Sequence, residues 1–174
     1  MSLSPRLRKA ALTTHVVSSV GWLGAVAAFL ALAIAGLTSS DAQLARGSYL
    51  VMEMFGWYVI VPLCGAAFVT GLIQSWVTPW GLLQHYWVVV KLLMTVFATV
   101  VLVLHMQPVG TVADAAASGP LARDELRGLR FQLLADAAAA ILLLLVAATL
   151  SVFKPRGRTR RGWRRLDRPR DRPA

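Results

Sequence analysis

Residues 85–106 read HYWVVVKLLMTVFATVVLVLHM, with Lys91 as the one formal charge. A bilayer core about 30 Å thick needs roughly 20 apolar residues of helix, and this stretch qualifies. Residues 10–37, 49–76 and 129–153 qualify too, and they leave a chain of 174 residues almost no other room. In lipid, every backbone polar group must find its partner within the protein, so the spanning elements are helices. The expected fold is an all-α membrane protein. Residues 1–153 form a four-transmembrane-helix up-down-up-down bundle, and residues 154–174 a basic, disordered tail.

Composition agrees with this reading. The chain is 57% hydrophobic and 15% charged, against about 25% charged in ordinary soluble domains. The net charge of +10 is concentrated in the tail, KPRGRTRRGWRRLDRPRDRPA, with a smaller cluster at Arg6, Arg8 and Lys9. Basic residues beside membrane helices mark the cytoplasmic side. Four spans put both ends on one side, and both ends are basic. The chain is therefore expected in the cell membrane with both termini cytoplasmic. The tail would rest on anionic lipid headgroups, at about 1 kcal/mol per basic residue, with Trp163 dipping into the headgroup layer. Nucleic acid is not an expected partner. Cys64 is the only cysteine, so no intramolecular disulfide forms. The first apolar run is too long for a cleavable signal and reads as a retained span.

Local features refine the helices. Thr14, Ser18, Gly21, Ala25 and Ala28 recur at helical spacing and mark a close-packing face. Residues 38–47 form a short extracytoplasmic loop. Pro62 is expected to kink the second helix. The turn at 77–81, with Trp76, Trp80, Tyr86 and Trp87 around it, reads as an interfacial aromatic belt. Pro108 is expected to end the third helix. The longest loop then follows at 109–128, carrying Arg123, Asp124, Glu125 and Arg127, with Arg130 just beyond it. The sequence contains no tandem repeat, phosphate-binding glycine loop, paired-His zinc motif or nucleophile elbow, so soluble-enzyme chemistry has no support.

Ionisable groups at bilayer depth are costly and are functional candidates by default. These are His15, Glu53, Lys91, His105 and Asp136. His15 lies one to two turns inside the cytoplasmic end of the first helix. Glu53, His105 and Asp136 lie toward the outer ends of theirs. Lys91 and His105 are fourteen residues apart and share a helix face, whereas His85 points almost the opposite way. Neutral histidines near a bundle axis suit haem iron or a transition metal, which makes His15 and His105 candidate metal ligands. Glu53, Lys91 and Asp136 are candidates for an ion or proton pathway. The packing alternative has the histidines wetted at the interface, Lys91 snorkelling, and Asp136 protonated or paired with Arg130. Met52, Met54 and Met106 near His105 raise copper as an alternative metal, since thioethers suit Cu(I).

The pattern His15-x6-Trp22-x-Gly24 resembles the opening helix of the CopD-type copper-resistance membrane domain. It also resembles that of the HemJ family of membrane protoporphyrinogen oxidases. Pro62 with Thr70-Gly71-Leu72 has a similar cast, as does Trp80-Gly81 followed by Trp87-x3-Lys91-Leu92. The chain as a whole looks most like a bacterial integral membrane family related to both. The resemblance implies that His15 is a haem b ligand and that Lys91 is functionally important. The expected function is thus a haem b-binding membrane protein with a redox or electron-transfer role and a membrane redox partner. His15 is the axial ligand, and His105 or Lys91 a second participant. The depths of His15 and His105 differ, so one iron does not readily take both. Copper or proton translocation, or a non-catalytic membrane subunit, is the alternative.

Overall fold

The computed structural model describes residues 4–77, 85–119 and 124–153, with Gly157 and Thr159. The expected turn at 77–81 and the basic tail fall largely outside these residues. Helix α1 spans Pro5–Thr38. Helix α2 covers 42–77, as Ala42–Phe55, a wide turn Gly56–Ile60, and Val61–Val77. Helix α3 spans Tyr86–Ser118 and α4 spans Asp124–Phe153. Four helices are long and apolar enough to cross a membrane, as a polytopic membrane protein requires.

The outer surface has the chemistry of lipid rather than water as its solvent. Leu93, Phe97 and Leu104 on α3 and Leu142 on α4 are all more than 60% exposed. A soluble monomer rarely shows so continuous an apolar surface. The interior is a seam. On α1, Ser18, Trp22, Ala25, Val26, Phe29, Ala33 and Gly36 are buried at steps of three and four. They pack with Met52 and Cys64 of α2, Val109 and Val112 of α3, and Leu133 of α4. The expected small-residue face is met at Ser18, Gly21 and Ala25, where Gly21 lies against Leu63, but Thr14 and Ala28 are exposed.

Three boundaries differ from expectation. The α1–α2 connection is three residues, not ten, because Asp41 caps α2 directly: its Oδ1 accepts the N–H of Gln43 at 2.8 Å. The first turns of α2 then bury Ala45, Ser48, Tyr49 and Met52 along one face. Helix α3 does not end at Pro108. It continues to Ser118, and Val109, Val112, Ala113 and Ala116 are buried beyond the proline. Burial of that stripe outweighs the one hydrogen bond that proline removes. Arg46 completes the end, its Nε donating to the Ala116 carbonyl at 2.6 Å and Nη2 to Ala117 at 3.2 Å. Helix α4 begins at Asp124, so the last residues of the expected loop at 109–128 belong to its first turn.

Pro62 acts on α2 through the turn before it. Proline has no N–H and crowds the carbonyl four residues back. The wide turn at Gly56–Ile60 absorbs this, with the Val61 N–H reaching the Gly56 carbonyl five residues away. Such insertions loosen a helix locally and are frequent at functional sites.

Tyr49 locks three helices together. Its ring lies against Gly36 of α1. Arg130 of α4 donates from Nε to the Tyr49 hydroxyl at 2.9 Å and from Nη2 to the Gly36 carbonyl at 2.6 Å. The expected Asp136–Arg130 pair is therefore not formed; Arg130 is committed to this clamp.

Candidate functional site

Four of the five candidate ionisable residues line two cavities, His15 and Lys91 in one and His105 and Asp136 in the other. The first, about 460 Å³, gathers the first turns of α1 and α3 and the last turns of α2 and α4. Its polar lining includes Arg8, His15, Gln74, Ser75, Lys91, Thr95 and Ser151, and Leu12, Val16, Leu72 and Trp87 supply apolar wall. The size falls within the ordinary range of small-molecule sites, about 300–1,000 Å³.

His15 is held from one side. Its Nδ1 lies 3.1 Å from Thr70 Oγ1, and that hydroxyl donates its own proton to the Ala66 carbonyl at 2.6 Å. Thr70 is then the acceptor and Nδ1–H the donor. In a neutral imidazole this leaves the lone pair on Nε2. Gly71 provides the seat: a Cβ there would sit 3.1 Å from His15 Cε1. A histidine fixed in this tautomer by an outer partner is the usual arrangement of a metal ligand.

Lys91 turns inward and does not snorkel. Its Nζ donates to Ser151 Oγ at 2.6 Å, and Ser151 in turn donates to the Ala147 carbonyl at 2.8 Å. The Gln74 amide nitrogen, in the same lining, is buried without a hydrogen-bond partner among the described residues. Among the described residues no acidic side chain lines this cavity, and Arg8 and Lys91 give that lining a cationic character.

The second cavity, about 240 Å³, has His105 and Asp136 as its only ionisable lining among the described residues. His105 Nδ1 lies 3.0 Å from Asp136 Oδ2, and the imidazole is 10% exposed. Its Nε2 is buried with no partner among the described residues, an arrangement that costs about 1–3 kcal/mol if left unsatisfied. Phe29 meets the imidazole edge-on, with centroids 6.4 Å apart.

The two cavities share no lining residue. His15 and Lys91 are brought together; His105 is apart from both, and Glu53 lines neither cavity. Glu53 faces the α3 backbone, where a Cβ on Gly110 would lie 3.4 Å from its Oε1. The motif His15-x6-Trp22 also divides, His15 in the first cavity and Trp22 in the second. Met52 and Met106 are buried, whereas Met54 is 57% exposed. Among the described residues, no group of three His, Cys, Asp or Glu is placed to hold a metal ion. His85 occupies the N-cap position of α3, its carbonyl accepting the Val88 and Val89 amides.

Several site residues were not singled out from sequence. Ser151 and Gln74 are visible as polar residues near the ends of apolar helices, but the partner of Ser151, Lys91, is 60 positions away, and Gln74 joins the cavity lining only through packing. Cys64 is buried on α2 and its thiol meets Thr99 Oγ1 of α3 at 3.3 Å; this is a packing contact. Compared with protein-family models, curated proteins and solved structures, the chain matches none.

Proposed function

We propose that the chain is a multi-pass protein of the cell membrane, its helices running alternately up and down with both termini cytoplasmic, and that the His15 cavity holds haem b for an electron-transfer role. The basic clusters at both ends support the orientation. The tail would lie on anionic headgroups, and electrons would pass to a membrane redox partner.

The observation that carries the haem reading is the contact of His15 Nδ1 with Thr70 Oγ1 at 3.1 Å. With Nδ1–H committed to Thr70, Nε2 is the ligating nitrogen. The other residues of the cavity fit the group. Arg8 and Lys91 are cations suited to propionate carboxylates, and Leu12, Val16, Leu72 and Trp87 give an apolar wall for the ring. The resemblance of His15-x6-Trp22-x-Gly24 and Trp87-x3-Lys91-Leu92 to the HemJ and CopD-type patterns is a further ground for this reading. Haem, when bound, supplies one-electron redox chemistry. The chain's own part is to orient the imidazole, balance the carboxylates and exclude water. Lys91 is the second participant within reach of this cavity. The copper alternative loses one thioether to the outward placement of Met54.

The test is haem bound per chain after purification from haem-replete cells. We expect about one for the wild type, loss in His15→Ala, and about 10–100-fold weaker retention in Thr70→Val, the usual effect of removing an outer partner. Wild-type protein that carries no haem, or His15→Ala protein that keeps it, overturns the reading.

A further inference from the structure

The haem reading leaves the second cavity without a use. We propose that this cavity binds the ring of a membrane quinone, which enters sideways from the lipid and hydrogen-bonds through one oxygen to His105.

The cavity has a back wall and a mouth. Trp22 and Phe29 of α1 and Ile60 of α2 form the back and are buried. At the front, Phe97 and Val101 of α3 line the cavity and are also exposed, 61% and 38%. Ala139 of α4 is exposed beside them. That front belongs to the lipid-facing surface, so a molecule dissolved in the bilayer reaches the cavity without crossing water.

The lining chooses among bilayer molecules. An anionic lipid headgroup needs a cation, and among the described residues no Lys or Arg lines this cavity. A plain hydrocarbon would leave His105 Nε2 without a partner, as it now is. A quinone is flat and apolar over its ring, so it suits the aromatic side chains, and it carries oxygens at its edge. With Asp136 accepting from Nδ1–H, neutral imidazole offers its Nε2 lone pair to the hydroxyl of a quinol, and imidazolium, its charge balanced by the Asp136 carboxylate, donates from Nε2 to the carbonyl of a quinone. Asp136, 3.0 Å from Nδ1, positions the ring. The cavity of about 240 Å³ takes the headgroup, and the isoprenoid chain stays in lipid. The proposal does not rest on haem in the other cavity.

The experiment titrates full-length protein in lipid nanodiscs with a benzoquinone bearing one isoprene unit. Calorimetry reads affinity and infrared spectroscopy reads the carbonyl stretch. We expect saturable binding at one per chain, with the carbonyl band shifted to lower frequency by the hydrogen bond. His105→Leu should abolish the band shift and weaken binding about tenfold, the equivalent of one hydrogen bond. Val101→Trp narrows the mouth from the exposed side and leaves the His105–Asp136 pair in place. It should also weaken binding tenfold or more, which keeps the test valid if His105→Leu fails to fold. Absence of saturable binding to the wild type overturns the proposal. So does a carbonyl shift that persists in His105→Leu, or affinity unchanged in Val101→Trp.

Discussion

Replacing Gly36 by alanine should unfasten the clamp that joins α1, α2 and α4. A Cβ at position 36 would lie 2.7 Å from Tyr49 Cζ, 2.8 Å from Cε2 and 3.0 Å from the hydroxyl oxygen, where ordinary contact begins at 3.4 Å. The ring must withdraw by about 0.7 Å, and it is 1% exposed. Retreat also lengthens the 2.9 Å bond from Arg130 to the tyrosine hydroxyl and disturbs the 2.6 Å bond to the Gly36 carbonyl. Overpacking of this kind costs about 1–3 kcal/mol, and a weakened bond from a charged donor adds about 1.5–3 kcal/mol. Alanine returns about 0.5–1 kcal/mol through its better helix propensity, so the losses win. We expect a net destabilisation of about 2–4 kcal/mol, read from reversible unfolding in mixed detergent micelles. A double-mutant cycle identifies the cause. In a Tyr49→Ala background the clash partner is gone, and Gly36→Ala should cost under about 0.5 kcal/mol. Equal cost in both backgrounds, or no cost in the wild type, refutes the reasoning.

A contrasting outcome is expected at Gly56, where an added Cβ would meet Met106 Cε at 2.7 Å and Sδ at 2.9 Å. A methionine end swings aside readily, so Gly56→Ala should cost less than about 1 kcal/mol in the same unfolding assay. At Gly71 the neighbour is the His15 ring, whose Cε1 would lie 3.1 Å from a new Cβ. Gly71→Ala should lower haem retention with little change in unfolding, and unaltered retention would remove Gly71 from the site. A fluorescent protein fused after Ala174 should fluoresce in the cytoplasm, and a cysteine at Ser40 should react with an impermeant maleimide from outside; a dark fusion with cytoplasmic labelling would reverse the orientation.

The helices were legible because the bilayer imposes a length and a polarity on each, and both are written locally. The boundaries were less legible because tertiary contacts decide them. Nothing near Pro108 announces that Arg46, 70 residues before Ala116, caps the end of the same helix. The missed Asp41 cap was local and readable, a side-chain acceptor immediately before α2. Candidate site residues were chosen by their cost in lipid; of the five, His15, Lys91, His105 and Asp136 line the two cavities and Glu53 lines neither. Their grouping was not readable from depth and helical phase alone. Lys91 and His105 share a stripe of α3, yet they serve different cavities because α4 offers Ser151 to one and Asp136 to the other. Thr70 sets the His15 tautomer from 55 residues away, and only the packing of α1 on α2 reveals it.

The most direct test of the haem assignment is a reduced-minus-oxidised visible spectrum of the purified protein beside His15→Ala. The wild type should show a Soret band and sharp reduced-state bands, both absent from the variant. A colourless wild-type protein from haem-replete cells, or identical bands in the two samples, would contradict the assignment.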